Sequence, residues 1–487
     1  MSPSQNQNNS FQKPGRPFLV VAVAVAVVAA LSLVPWGGVS GGFFKDFNLL
    51  EDISRVKEVH TEDGEDVDPA LVAAQARDSE PGEAERLKIA MAATEAAVAA
   101  GAEIPDSLLR SAVAPRRGNL VILEDYSLSG NGLRRFMKAL EKRAVRPVRI
   151  AVIGDSYIEG DIFTQDLRRE LQKRYGGRGV GYVTPHNIVS GFRQSIRQSD
   201  KGWKDHDLRN DASADCRWLS GQRFTGEPGA TASWKTPSSG EVSTTGWNTA
   251  TILFKASSPG TLCIDTGNGT EEHHIVPSEK VQAICLEGEM NSLALTNKSV
   301  KHLTVYGIWL NDNSGIALDC MSLRGNSGIT HQGISPALAR DMARFVDYDL
   351  IIVEYGLNAL TSKQKDYSYY SRMMGKVLSR LKESYPGADI IMMGAGDRGH
   401  KSGSWVRSTP TLPYMVDAQR LTARKAGILF WDTREAMGGE DAIVRWREEG
   451  LVNADYIHMN FKGGARMASL FMQAIEDAVK NNRTDEN

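Results

Sequence analysis

Neither sign of charge dominates this chain. Its 57 lysines and arginines face 59 aspartates and glutamates, a net charge of −2, and nothing in that balance points to nucleic acid. Cysteine is scarce too: Cys216, Cys263, Cys285 and Cys320 are the four in 487 residues. No Cys-x-x-Cys or Cys/His spacing of the zinc-binding kind occurs. No clustered ligand set suits metal-dependent or phosphatase chemistry either, so neither a metal nor a cofactor is expected. An even number of cysteines permits disulfides in an exported protein. Cys263 and Cys285 are the candidate pair, and buried free thiols are the alternative. There is no internal repeat.

One long hydrophobic run stands apart. Phe18 to Trp36 is nineteen residues with no charge and a single serine. As a helix at about 1.5 Å per residue it spans roughly 28 Å, the thickness of a bilayer core. Lys13 and Arg16 precede it, and Asp46, Glu51 and Asp52 follow it. Positive flanks stay on the cytoplasmic side, so the expectation is a cytoplasmic tail (1–17), a transmembrane signal-anchor (18–36) and an extracytoplasmic remainder. A cleaved signal peptide and a buried core helix are the two alternatives. Residues 37–117 read as an acidic, then alanine-rich, linker off the membrane, with Glu62 to Asp68 at its acidic centre.

From about Leu120 the pattern is α/β. Val148 to Ile153, Asp349 to Glu354, Asp389 to Gly394 and Ile428 to Trp431 are short apolar runs. Stretches of helical periodicity alternate with them: Leu133–Arg143, Asp161–Tyr175, Tyr370–Ser384, Tyr414–Lys425 and Gly463–Lys480. That alternation predicts a parallel sheet covered on both faces. Roughly Asp200 to Asn313 breaks the rhythm. It has short β-rich runs, many Ser, Thr and Gly residues and recurrent turns, which predicts an inserted all-β sandwich. The expected division is 118–199 and 319–487 for the α/β domain and 200–318 for the insert.

Four blocks carry the chemistry. Gly154-Asp155-Ser156 ends a strand and precedes a helix, the edge where open α/β sheets bind ligands. Ser156 at such a turn is either a nucleophile or a helix cap. Near the C-terminus, Asp455-Tyr456-Ile457-His458 offers a base for a serine and a carboxylate to orient that base. Gly325-Asn326-Ser327-Gly328 and Tyr355-Gly356-Leu357-Asn358 supply N–H donors for the oxyanion that acyl transfer builds. Taken singly, each could be an ordinary turn.

In this order, Gly-Asp-Ser, a glycine, Gly-x-Asn and Asp-x-x-His resemble the SGNH/GDSL hydrolase family over about Val148 to Ala478, the β insert set aside. The resemblance implies a flavodoxin-like, three-layer α/β/α parallel sheet. It implies Ser156 as nucleophile and oxyanion donor, Gly328 and Asn358 as further donors, His458 as base and Asp455 as its orienter. Gly325 competes with Gly328 for the glycine position. Leu357 and Ala359 flank Asn358 where the family often has a polar residue. A narrower likeness rests on Asp161, Leu167-Arg168, Gly176 to Gly181, Trp431-Asp432 and Ala436 to Gly439. These resemble the bacterial peptidoglycan O-acetylesterase branch, which carries a carbohydrate-binding-like β module in its catalytic domain.

The expected function is therefore a serine esterase acting on an O-acetylated glycan, the cell wall by the resemblance, with the inner membrane as partner through the N-terminal helix. O-acetyl transfer to an exported polysaccharide and non-catalytic glycan binding are the alternatives. No long apolar lid segment lies near the motifs, which speaks against a lipase. Trp203, Trp218, Trp234 and Trp247 are candidates for stacking on sugars or for core packing. His186, His331 and His400 are candidate cleft residues, and His273-His274 reads as surface.

Overall fold

The computed structural model describes residues 114–484, apart from 212, 238–245 and 404, together with two dipeptide strands at 59–60 and 66–67. The expected anchor at 18–36 and most of the linker lie outside the described residues. The fold below belongs to one compact unit, His60–Asn487.

The α/β body opens with β1 (Glu124–Asp125), α1 (Arg134–Glu141), β2 (Pro147–Gly154) and α2 (Thr164–Tyr175). Then come β3 (Gly179–Val183), β4 (Arg197–Asp207), β5 (Gln222–Lys235), β6 (Trp247–Ala256) and β7 (Gly260–Asp265). They are followed by β8 (Thr270–Ile275), β9 (Ser278–Met290), β10 (Ser292–Asn297) and β11 (Leu303–Asn311). The body resumes with β12 (Gly315–Ser322), α3 (Pro336–Ala343), β13 (Leu350–Glu354), α4 (Ser368–Ser384) and β14 (Asp389–Met393). A hairpin of β15 (Gly399–Ser402) and β16 (Trp405–Ser408) precedes α5 (Leu412–Ala426) and β17 (Leu429–Trp431). Helices α6 (Thr433–Met437), α7 (Ala442–Glu448) and α8 (Phe461–Thr484) end the chain.

The body's sheet runs β12-β2-β13-β14-β17-β1, parallel throughout except for the edge strand β1. Strands β13 and β14 are buried along their whole length, as parallel strands covered on both faces must be. In chain order the five parallel strands follow the 2-1-3-4-5 arrangement, whose switch point lies between β2 and β13. Right-handed crossovers put α2 and α8 on one face and α3, α4 and α5 on the other. Consistent with this, α2 packs on α8 and α4 packs on α3 and α5. The register is even: Ser322 of β12, Gly154 of β2 and Glu354 of β13 lie side by side at the C-terminal edge. Residues a few positions beyond each strand therefore emerge at one place.

The connection from α2 to β12 contains the all-β insert. Hydrogen bonding joins its strands in one nine-stranded sheet, β8-β7-β10-β5-β11-β6-β9, with β3 branching from β11 and β4 from β5. The strands extend outside the segment expected from sequence. Gly179–Val183 pairs with β11, and Gly315–Ser322 belongs to the parallel sheet. Two faces explain the composition. Trp234, Trp247, Phe254, Leu293 and Val305 enclose a core of the insert's own. Leu253, Tyr306 and Trp309 join Tyr182 and Trp218 in the core of the α/β body.

All four cysteines are free thiols. Cys263 lies on β7 and Cys285 on β9, strands that are not neighbours in the sheet, so the candidate disulfide does not form.

Candidate active site

The site grows from the end of β2. A Cβ on Gly154 would stand 2.8 Å from the carbonyl oxygen and from a carboxylate oxygen of Glu354, so only glycine lets β2 and β13 close here. The chain then turns. Asp155 Oδ1 accepts a hydrogen bond from the Tyr157 N–H at 2.8 Å, an Asx turn that presents the next side chain, Ser156, at the sheet edge.

His458 arrives from a pinched loop. An isolated antiparallel bridge pairs Val452 with Met459, and the Asn453 N–H donates to the His458 carbonyl at 2.9 Å. Within the loop, Asp455 Oδ1 accepts from the Ile457 and His458 N–H groups at 2.9 and 3.0 Å. Tyr456 takes the left-handed conformation at φ 56° to make the turn.

These two pieces meet. Asp455 Oδ2 lies 2.8 Å from His458 Nδ1, and His458 Nε2 lies 2.9 Å from Ser156 Oγ. A carboxylate accepts only, so Nδ1 carries the proton and Nε2 offers its lone pair to the serine hydroxyl. Burial works to raise the Asp455 pKa. The hydrogen bond from His458 and those from the two backbone N–H groups outweigh it and hold the carboxyl at about 2. The dyad is open to solvent, His458 being 34% and Asp455 43% exposed at the side chain.

Asn358 stands in a short turn, Leu357–Ala359, beyond β13. Its side-chain amide donates to Asp155 Oδ2 at 2.7 Å and to the Asn326 carbonyl at 3.3 Å. Asp155 thus bridges the nucleophile's turn to the asparagine. Burial raises its pKa to about 6, against the pull of the Tyr157 N–H, the nearby His458 and the Asn358 amide. Glu354 lies beneath, fully buried, and neither of its carboxyl oxygens has a hydrogen-bond partner among the described residues. Burial, reinforced by the charge of Asp155, pushes its pKa well up.

The two glycine candidates separate. Gly328 is buried, at φ 91°, and its N–H is spent on Asn326 Oδ1 at 2.6 Å. Gly325, three residues past β12, is part-exposed, and a Cβ there would meet only Arg209 Nη1, at 3.5 Å. Its N–H has no partner within the protein among the described residues. Of the two backbone donors, that of Gly328 is engaged within its own turn and that of Gly325 is not.

The remaining sequence candidates fall into different places. Trp218, Trp234 and Trp247 are fully buried and Trp203 nearly so, which removes the insert's tryptophans as sugar-stacking residues. His331 is buried against the Tyr355 ring with Nε2 3.1 Å from the Leu219 carbonyl, and burial lowers its pKa to about 4. His186 pairs with Asp200 at 2.8 Å. His400 lies on the β15–β16 hairpin, which is tied to the catalytic loop by the Gly399 N–H donating to the Tyr456 carbonyl at 2.8 Å. His273 and His274 lie on β8. No cluster of metal-ligating side chains occurs among the described residues. A groove of about 1280 Å³ between α4 and α5 is lined by none of the residues above.

Sequence reasoning missed the second task of Asp155 and the buried Glu354. The signal for the latter was present: an acidic residue closing an otherwise apolar parallel strand.

A 2-1-3-4-5 parallel sheet that carries a serine, an asparagine and an Asp-x-x-His pair at one edge is the α/β fold that the sequence resemblance to SGNH/GDSL hydrolases implied. A solved structure of a peptidoglycan O-acetylesterase has this fold: 22% identity, 74% of this chain and 99% of that one covered, TM-score 0.62. A family two carbohydrate esterase from Cellvibrio japonicus is 13% identical over 62% of this chain and 98% of its own, with a TM-score of 0.26. No family model matches the chain, and no curated protein does.

Proposed function

We propose that this protein is a serine esterase that removes O-acetyl groups from a cell-surface glycan, with peptidoglycan the first substrate to test. The observation that carries the reading is the unbroken relay Asp455–His458–Ser156, with contacts of 2.8 and 2.9 Å. The glycan part draws support from the peptidoglycan O-acetylesterase whose fold this chain shares.

Ser156 Oγ attacks the acetyl carbonyl while His458 Nε2 takes its proton. The tetrahedral oxyanion is met by the N–H groups of Ser156 and Gly325 and by the Asn358 amide, which exchanges its long 3.3 Å bond to Asn326 for the stronger acceptor. His458 returns the proton to the departing sugar hydroxyl, leaving acetyl-Ser156. Water, activated by His458, then releases acetate. The solvent exposure of the dyad favours water as the acceptor. An extracytoplasmic position, anchored through residues 18–36, fits a cell-wall substrate.

The test is acetate release from O-acetylated peptidoglycan by the full-length protein and by Ser156→Ala. Release that falls by at least about 10³-fold in the variant supports the reading. Ser156-dependent cleavage of a small acetyl ester without glycan hydrolysis would replace hydrolysis by transfer to a sugar acceptor. Activity that survives Ser156→Ala would overturn the mechanism.

A further inference from the structure

We propose that Phe192 and Phe461 form a stacking platform beside Ser156 on which a pyranose ring of the substrate rests; this builds on the glycan-ester reading above. The insert's tryptophans are buried, so aromatic faces for a sugar have to come from elsewhere. Phe192 is 48% exposed, and Ile188 in the same loop is 64% exposed. Contiguous apolar surface left facing water marks binding sites.

The platform is continuous with the catalytic groups. A Cβ on Gly160 would lie 2.5 Å from the Phe192 ring, so the ring rests on the backbone four residues after Ser156. Its other neighbour is Phe461, which begins α8 three residues after His458; the two rings stack at 5.0 Å with 30° between their planes. The next residue, Arg193, is buried and holds the loop down. It donates to the Val180 and Tyr182 carbonyls at 2.8 and 3.1 Å and to Asp161 Oδ2 at 3.2 Å. A ring held in advance loses little entropy when a ligand stacks on it.

The surroundings select a sugar over a purely apolar ligand. Ile188 also lines a cavity of about 100 Å³ whose other walls include Glu159, His186, Asn187, Arg209 and Arg324. A pyranose ring presents an apolar C–H face and a rim of hydroxyls, and an aromatic platform bordered by polar side chains meets both.

The experiment measures binding without turnover, on full-length protein carrying Ser156→Ala, with insoluble peptidoglycan as the probe. Phe192→Leu keeps apolar bulk and removes the ring; Phe192→Trp enlarges the ring. The proposal expects Phe192→Leu to weaken binding by at least about threefold and Phe192→Trp to retain or tighten it. Equal binding by the Leu and Trp variants overturns it, as does equal loss by both. Because Ser156→Ala is the background, the result stands apart from whether the protein hydrolyses the ester. Acetate release by the Phe192 variants with Ser156 intact adds a second readout: the ratio of kcat/KM on glycan to that on a small acetyl ester falls for Leu and not for Trp.

Discussion

Asp155 meets two donors, the Tyr157 N–H and the Asn358 amide, and accepts from both as a carboxylate. Burial raises its pKa to about 6, so that carboxylate form is populated above about pH 6. We expect kcat to fall as pH drops through about 6, and Asp155→Asn to remove that dependence while lowering kcat by roughly 10–100-fold through loss of one oxyanion donor's alignment. A pH–kcat profile of both proteins checks this. The stability effect has the opposite sign. A folded-state pKa above the unfolded one favours the protonated folded state, so this contribution is complete below about pH 4 and is lost as pH rises through about 6. Asp455 behaves differently. Its pKa is lowered to about 2, so its contribution is present above the ordinary carboxylate range and disappears only as pH falls through about 2. Asp455→Asn should cost about 10³–10⁴-fold in kcat and lower the thermal midpoint only modestly, since the side chain is 43% exposed. A mild loss of kcat would remove Asp455 from the relay.

Among the elements, β2 and β13 decide the site, because their last residues pair in register at Gly154 and Glu354. Gly154→Ala forces the two strands apart. It should destabilise the protein by about 1–3 kcal/mol and lower kcat together, measured by denaturant unfolding and small-ester turnover. Glu354→Gln keeps the side chain's shape and removes its charge; because burial already disfavours the ionised carboxyl, kcat should stay within about threefold. Apolar strands with continuous burial, such as β13 and β14, were readable from their runs. Strand β12 was not, because Asp319 and Cys320 interrupt its run. Asp319 is tolerated there because Trp309 Nε1 and the Tyr348 hydroxyl donate to it at 2.9 and 2.8 Å, a solution that exists only once the insert has folded against the sheet.

The whole molecule is two cores sharing strands. Trp309 faces the α/β body while its neighbours Ile308 and Leu310 face the insert's own core. Trp309→Ala should therefore cost about 3–5 kcal/mol and leave Asp319 with one fewer donor, and denaturant unfolding should show the insert and body losing stability together. A loss confined to one of two transitions would mean that the cores unfold independently. At the same scale, all four thiols should react with an alkylating agent after unfolding without reductant, since none is paired.

The order of Gly154-Asp155-Ser156, Asn358 and Asp455-x-x-His458 along the chain, with its alternating apolar runs and helical periods, was enough to indicate a parallel α/β sheet with a serine relay at its edge. These features depend on local spacing, which a sequence records. The engagement of the Gly328 N–H by Asn326, the free state of Cys263 and Cys285, the burial of the insert's tryptophans and the joining of its strands in one sheet depend on how the folded chain packs. Only the tertiary structure decides those, because a backbone N–H or an aromatic face is available or spent according to the neighbours that folding gives it.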